Sequence, residues 1–408
     1  MGDSNTELAA SIESKLSSLP ALSSYCCIYR VPGYLRDISE ESYRPFAVSI
    51  GPFHHGDPKL QAVEEEKLRY LQHFRNRANS KDFADYIKAI RDQETVLRQH
   101  YAEPIELSSD EFTEMVLIDG AFIVELFLRS YSPQLVEDND RIFQKPRMID
   151  DLVRDMKLLE NQLPFYLLVM LYGFIAENEG ACLSSFIDLT CNFFSVTRVE
   201  TIMYRHFVDL LRSGYLPSVC PRLVHSTVDK CPSATELHDA GVKFVKGKGK
   251  HLLEIKYSNG VLEIPQIYVE DSTESVLRNL AVFEQRHCYF DSFIIDYIKM
   301  LDFLIDTPRD VEILVQTGII KNCLGNNEEA ADVFNNLARQ IRFANYNFYY
   351  SGICVQLNEY YNTPWHHYKA ILHHKYLIHP WATISVVYAI ALLILTLIST
   401  IAVVISID

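Results

Sequence analysis

Residues 155–171 read DMKLLENQLPFYLLVML, so that Glu160, Asn161, Gln162 and then Pro164 interrupt a run of leucines. Upstream, Ile149, Val153 and Met156 recur at helical spacing towards Leu163, which predicts a helix that runs into a proline. Pro164 has no N–H, and its ring crowds the carbonyl one turn back, at Glu160. A helix continuing through it must kink, which frees backbone groups in the preceding turn. Asn and Gln side chains both donate and accept, and a carboxylate accepts. Glu160, Asn161 and Gln162 therefore suit a polar knot that satisfies the freed groups and fixes helix packing. The rival reading is a pair of carboxylates with separated pKa values in an accessible cleft. The knot is preferred, because ion-pair networks perturb carboxylates as readily as catalysis does.

The same helical period organises the chain on the N-terminal side. Leu60, Glu64, Leu68 and Leu71 form one stripe, and Phe83, Ile87, Ile90, Glu94, Leu97 and Tyr101 form a second. Phe112, Val116, Asp119, Ile123 and Leu126 form a third, opened by the cap-like SSDEF. Glu64, Glu94 and Asp119 stand where an apolar residue belongs. Glu125 lies on the neighbouring row, and Asp155 falls between Leu152 and Leu159. Buried acids need cations or donors, and Arg30, Lys67, Arg91, Arg129 and Lys157 are candidates. Glu64, Glu94, Asp119, Glu125, Asp155, Glu160, Asn161 and Gln162 are thus expected to form a structural polar network.

Residues 1–24 are Ser-rich and polar and read as a disordered N-terminal segment. Residues 25–375 read as one mainly helical domain, with further helices expected across 180–215 and 273–345. A small β-hairpin element interrupts it at about 242–269, where alternation in LLEIKY and VLEI flanks Asn259-Gly260, a pair that supplies the positive φ of a tight turn. From Ala382 to Ile407 no residue is charged. As a helix the stretch spans roughly 39 Å, against ~30 Å for the hydrocarbon core of a bilayer, and is expected to be a single transmembrane helix. Trp381 and Tyr376 suit its headgroup boundary. Lys369 and Lys375 precede it and only Asp408 follows, which places the N-terminal domain in the cytosol at a plasma membrane or endomembrane. The lipid bilayer would then be one partner.

Among the 408 residues, 53 acids against 38 Lys and Arg give a net charge of −15, which argues against nucleic acid as a partner. Nine cysteines without C-x-x-C spacing point to reduced thiols rather than a disulfide framework. Cys26-Cys27 and His54-His55 lack the spacing that lets two side chains converge on one zinc ion, so no metal or cofactor is expected. VKGKGKH, with Lys243 just upstream and Lys246, Lys248 and Lys250 within it, lacks phosphate-loop spacing and reads as a flexible basic loop. Serine-hydrolase, zincin and kinase motifs are absent. A large acidic domain without a catalytic signature is expected to act through a protein partner, not as an enzyme. The alternative is a hydrolase using two of the misplaced carboxylates.

CCIYRVP, SIGPFHHG, VEEEKLRYL, MVLIDGAFIVELF, LLENQLPF, ATELHDAGVKF and PWATIS, in this order, resemble the plant-specific domain-of-unknown-function 247 family from about Cys26 onwards. Ala121 departs from that pattern, which usually has cysteine after the Asp-Gly pair. The resemblance implies a plant protein with one C-terminal membrane span and no established catalytic activity. Some grass relatives are implicated in pollen-side self-recognition.

Overall fold

A computed structural model describes residues 2–17, 23–78, 82–145, 147–179, 185–199, 203–216, 228, 230–249, 251–288, 291–339, 341, 348–364 and 380–405. The fold is mainly helical, and the chain divides into two compact units rather than the single domain expected over 25–375. The first unit comprises Met1–Pro32, Pro45–Leu189 and Met203–His206; the second comprises Gly33–Arg44, Thr190–Ile202 and Phe207–Asp408.

The first unit is built on the helix Ser109–Tyr131. Its start is set by a capping box: the Glu111 N–H donates to Ser108 Oγ and the Ser108 N–H donates to Glu111 Oε2. Almost all its side chains from Phe112 to Arg129 are buried, the pattern of a helix enclosed on every face. Helices Glu64–Arg77, Phe83–Gln99 and Phe165–Glu179 pack on it. Gly120 permits the last of these contacts, since a Cβ there would stand 2.3 Å from Leu171 Cδ1.

The expected helix through Pro164 does not form. Helix Met148–Asp155 stops, residues 156–164 run as turns and irregular chain, and a new helix starts at Phe165. The reason is local: Asn161 and Gln162 bond the carbonyls that a continued helix would have used, and Pro164 offers no N–H. The N-terminal segment also differs from expectation. Gly2–Ser17 is helical, and the side chains of residues 5–17 are exposed.

In the second unit the β element is larger than a hairpin. Strands β2 (Lys256–Ser258) and β3 (Val261–Pro265) pair antiparallel across the Asn259-Gly260 turn, with φ of 49° and 76° at those two residues. Strand β1 (Lys243–Gly247) adds to β3 in parallel, so Lys246 lies on a strand where a loop was expected. Strands β4 (Ile267–Val269) and β5 (Ile320–Asn322) form a separate parallel pair. A parallel partner from distant sequence leaves no local signal. Helices Thr273–His287, Phe293–Leu304, Pro308–Gln316, Asn327–Leu337 and Ser351–Tyr361 complete the unit's larger elements.

The C-terminal expectation needs correction. A helix Pro380–Ile405 is present, but among the described residues no helix is long and apolar enough to cross a membrane. The transmembrane span, with the topology built on it, is therefore not supported. The side chains of Trp381 and Ala382, and Ile407 as a whole, lie outside the described residues, as do Lys250, Lys369, Lys375 and Tyr376.

Candidate functional site

The chain from Pro45 to Gly51 is buried at Val48, Ser49 and Ile50, yet belongs to no helix or strand. Its backbone groups must find partners elsewhere, and side chains of the first unit supply them. Asp155, the last residue of its helix, accepts from the N–H groups of Phe46, Ala47 and Val48 at 2.6 to 3.0 Å. Asn161 acts as a surrogate backbone amide: its Oδ1 accepts from the Ile50 N–H at 2.7 Å while its Nδ2 donates to Val48 O at 3.0 Å. Asp119 Oδ2 accepts from the Gly51 N–H at 2.8 Å, and Lys67 Nζ donates to Ser49 O at 2.6 Å. Gly51 sits at φ +74°, and a Cβ would lie 2.5 Å from Gln162 O. The residue before PFHHG is thus held to glycine by both conformation and space.

Asn161 Nδ2 also donates to Asp155 O, and Gln162 Nε2 donates to the carbonyls of Met156, Leu158 and Asn161, fixing the turn that ends the helix. Tyr101 Oη donates to Gln162 O at 3.0 Å. Glu160 Oε1 accepts from the Val31 N–H at 2.5 Å. Its Oε2 lies 3.5 Å from His54 Nε2 and 3.8 Å from the Arg30 guanidinium. Arg30 continues outward, over the Phe53 ring and to Glu103 at 2.7 Å. Five of the quoted sequence blocks therefore converge here, through Arg30 and Val31, through Ile50 to His54, through Lys67, through Asp119, and through Glu160 to Gln162.

The electrostatics follow from burial. Lys67 is pulled down by desolvation, but Asp119 at 2.7 Å and Glu64 at 2.7 Å outweigh it and hold the ammonium above its ordinary value. Burial raises the carboxyls of Asp119, Glu125 and Asp155 above their ordinary values, against the pull of their cations and N–H donors.

The eight expected network residues do not form one network. Glu64, Asp119, Asp155, Glu160, Asn161 and Gln162 share the site around residues 45–51. Glu125 belongs to a second cluster: it pairs with Arg77 at 2.8 Å and Arg129 at 3.6 Å, and Arg129 reaches Asp140 at 2.5 Å. Tyr70 Oη donates to the same Asp140. Glu94 is only partly buried and pairs with Arg98 at 2.8 Å and Ser109 Oγ at 2.6 Å. Of the candidate cations, Lys67, Arg129 and Arg30 meet the acids in question, whereas Arg91 pairs with Asp110. Arg98, Arg154 and Arg77 were missed. Arg98 was legible as the i+4 neighbour of Glu94, and Arg154 as the neighbour of Asp155 at 2.8 Å. Arg77 reaches Glu125 from another helix, which no spacing announces. Among the described residues no group of three or more His, Cys, Asp and Glu is placed to hold a metal ion.

A family described as plant protein of unknown function, DUF247, matches residues 28–395. The chain belongs to this family. The UPF0481 protein At3g47200 of Arabidopsis thaliana is 29% identical over 419 residues, covering 93% of this chain and 86% of the relative. The putative UPF0481 protein At3g02645 of the same plant is 22% identical over 475 residues, covering 90% and 88%. No solved structure matches.

Proposed function

We propose that this DUF247 chain is a non-enzymatic interaction protein of plant cells, acting through a protein partner in signalling or self-recognition. One observation carries the reading. Asp119, Asp155, Asn161 and Gln162, polar residues of the quoted blocks, have their side chains engaged with backbone groups or a buried lysine. Such side chains position a loop and leave little for substrate chemistry. The rival hydrolase reading draws on one feature, His54 Nε2 at 3.5 Å from the buried Glu160 carboxylate. Proximity labelling from the full chain in plant tissue, followed by binding of each recovered protein to the purified full chain, tests the proposal. A partner that binds the pure protein is expected. A labelled set identical to that of the free labelling enzyme overturns the proposal. So does a hydrolytic turnover of the pure protein that Glu160→Gln and His54→Ala both abolish.

A further inference from the structure

Helix Phe165–Glu179 of the first unit carries no charged residue from Phe165 to Ala176. A helix that is apolar on every side is ordinarily enclosed on every side, as Ser109–Tyr131 is. This one is enclosed on one side only. Leu167, Leu168, Leu171 and Ile175 are fully buried, towards the long helix that Gly120 lets approach. Tyr166, Val169, Met170, Gly173 and Ala176 recur at helical spacing on the other side. Val169 is exposed there and the other four are half-buried. A Cβ at Gly173 would meet nothing within 4 Å, so the face is open at its centre.

The same unit holds a second uncovered apolar surface. Helix Gly2–Ser17 places Leu8, Ala9, Ile12 and Leu16 within about 100° of one another around its axis, with Asp3, Glu7 and Glu13 off that stripe. Leu8, Ile12 and Leu16 are all exposed. At 16 residues the helix is close to the length below which an isolated helix is marginal in water, so its stripe needs a surface to lie on. The path of the chain offers one. Five residues, 18–22, separate Ser17 from Ser23, whose Oγ donates to Gln99 Oε1 at 3.4 Å. Tyr25 stacks on His100, whose ring lies 5.4 Å from that of Tyr166. The chain leaving the N-terminal helix is thus anchored beside the first turn of Phe165–Glu179. Six steps of ~3.5 Å give the helix a reach of about 20 Å from Ser23.

We propose that the outer face of Phe165–Glu179 is a helix-docking surface, and that its occupant is the Gly2–Ser17 helix of the same chain. The tether fixes the direction. The C-terminal end of the strap lies at Tyr166, so the two helices run antiparallel. Leu16 then meets Tyr166, Val169 and Met170, and Leu8 lies towards Gly173 and Ala176. The stripes match in length, ~12 Å from Leu8 to Leu16 against ~15 Å from Tyr166 to Ala176. Gly173 lets the two backbones come close. The strap buries none of its acids, which stay off the contact. While seated, it withholds this face from any other helix.

Peroxide footprinting of methionines in the purified full-length chain tests the proposal, with the exposed Met203 as internal reference. The double variant Ile12→Asp, Leu16→Asp changes only a helix whose described side chains are exposed, so the remainder of the fold is kept. It should raise the oxidation rate of Met170 about threefold or more and leave that of Met203 unchanged. Independently, Ile12→p-benzoylphenylalanine is irradiated in a mixture of isotopically heavy and light chains. A cross-link from position 12 to Phe165–Glu179 of the same chain is expected. A Met170 rate that the double variant leaves unchanged overturns the proposal. So does a cross-link that joins heavy to light chains, which would make a second copy the occupant. A cross-link that misses Phe165–Glu179 altogether overturns it as well.

Discussion

Asp155 in the first unit and Asp310 in the second are both buried carboxylates that collect several donors, yet their acidities move in opposite directions. Asp155 accepts from three consecutive N–H groups and from Arg154, and burial still raises it above its ordinary value. Asp310 accepts from the Thr235 and Thr307 N–H groups at 2.7 and 2.8 Å and from Thr307 Oγ at 2.7 Å. Burial opposes this, but the donors win and its carboxyl sits below the ordinary value. Desolvation outweighs the donors at Asp155 and is outweighed by them at Asp310, and position on the helix acts in the same sense. Asp155 ends helix Met148–Asp155, where the helix dipole disfavours a negative charge; Asp310 lies in the first turn of Pro308–Gln316, where the dipole favours it. Asp310 is a helix cap. Asp155 is a substitute for a missing β-ladder, and the fold tolerates its charge because, among the described residues, no other group accepts from the N–H groups of residues 46–48.

The sharpest way to break this contrast is to remove each acid. Asp155→Ala strands three N–H groups and removes one of the partners of Arg154, with an expected loss of about 3–5 kcal/mol. Asp310→Ala removes a cap whose Thr307 donor is exposed, so water can replace part of it; about 1–2 kcal/mol is expected. Urea denaturation of the full-length variants measures both. An Asp310→Ala loss equal to or above that of Asp155→Ala refutes the distinction.

Asn161→Ala isolates the surrogate amide. It leaves the Ile50 N–H and the Val48 carbonyl unsatisfied, while Asp155 O keeps the Leu158 N–H, for an expected loss of about 2–3 kcal/mol and reduced abundance in cells. A melting temperature equal to that of the parent would show that the 45–51 segment is held by other means.

The pH dependence gives the smallest effect and the cleanest sign. The folded pKa of Asp155 lies above its unfolded value near 3.8, so the folded state binds the extra proton in the window just above 3.8. As pH falls through that window, the parent should gain stability relative to Asp155→Asn. For Asp310 the folded pKa lies below 3.8; its contribution is complete above that value and is lost as pH falls through the lower one. The gap between parent and Asp310→Asn should therefore narrow on acidification. Melts from about pH 6 to about pH 3 check both slopes, and slopes of the same sign would remove the helix-position argument.

Much of the helical reading was legible because it rests on local periodicity. The Ser109–Tyr131 helix follows from its stripe and its SSDEF cap, and the turn of the β2–β3 hairpin from Asn259-Gly260. The inward placement of Asp119, Glu125 and Asp155 also followed from their positions in apolar stripes. Other features were not legible. The helix expected through Pro164 broke because Asn161 and Gln162 bond carbonyls six, six and four residues back in place of the helical ladder. The apolar C-terminal run read as a span by composition alone, whereas no described helix meets the length and apolarity of a crossing.

By itself, the sequence determined which residues could not be left alone: an acid in an apolar stripe and three polar side chains before a proline all require partners, since desolvation is costly wherever they are buried. It also determined the family, through blocks whose order survives in sequence. Which partners those residues found was a tertiary matter. Lys67 meets Asp119 and Asp155 meets the Phe46 N–H across 52 and 109 residues of chain. Asn161 meets Ile50 across 111. A hydrogen bond depends on separations of about 3 Å in space, and separation along the chain carries no record of it.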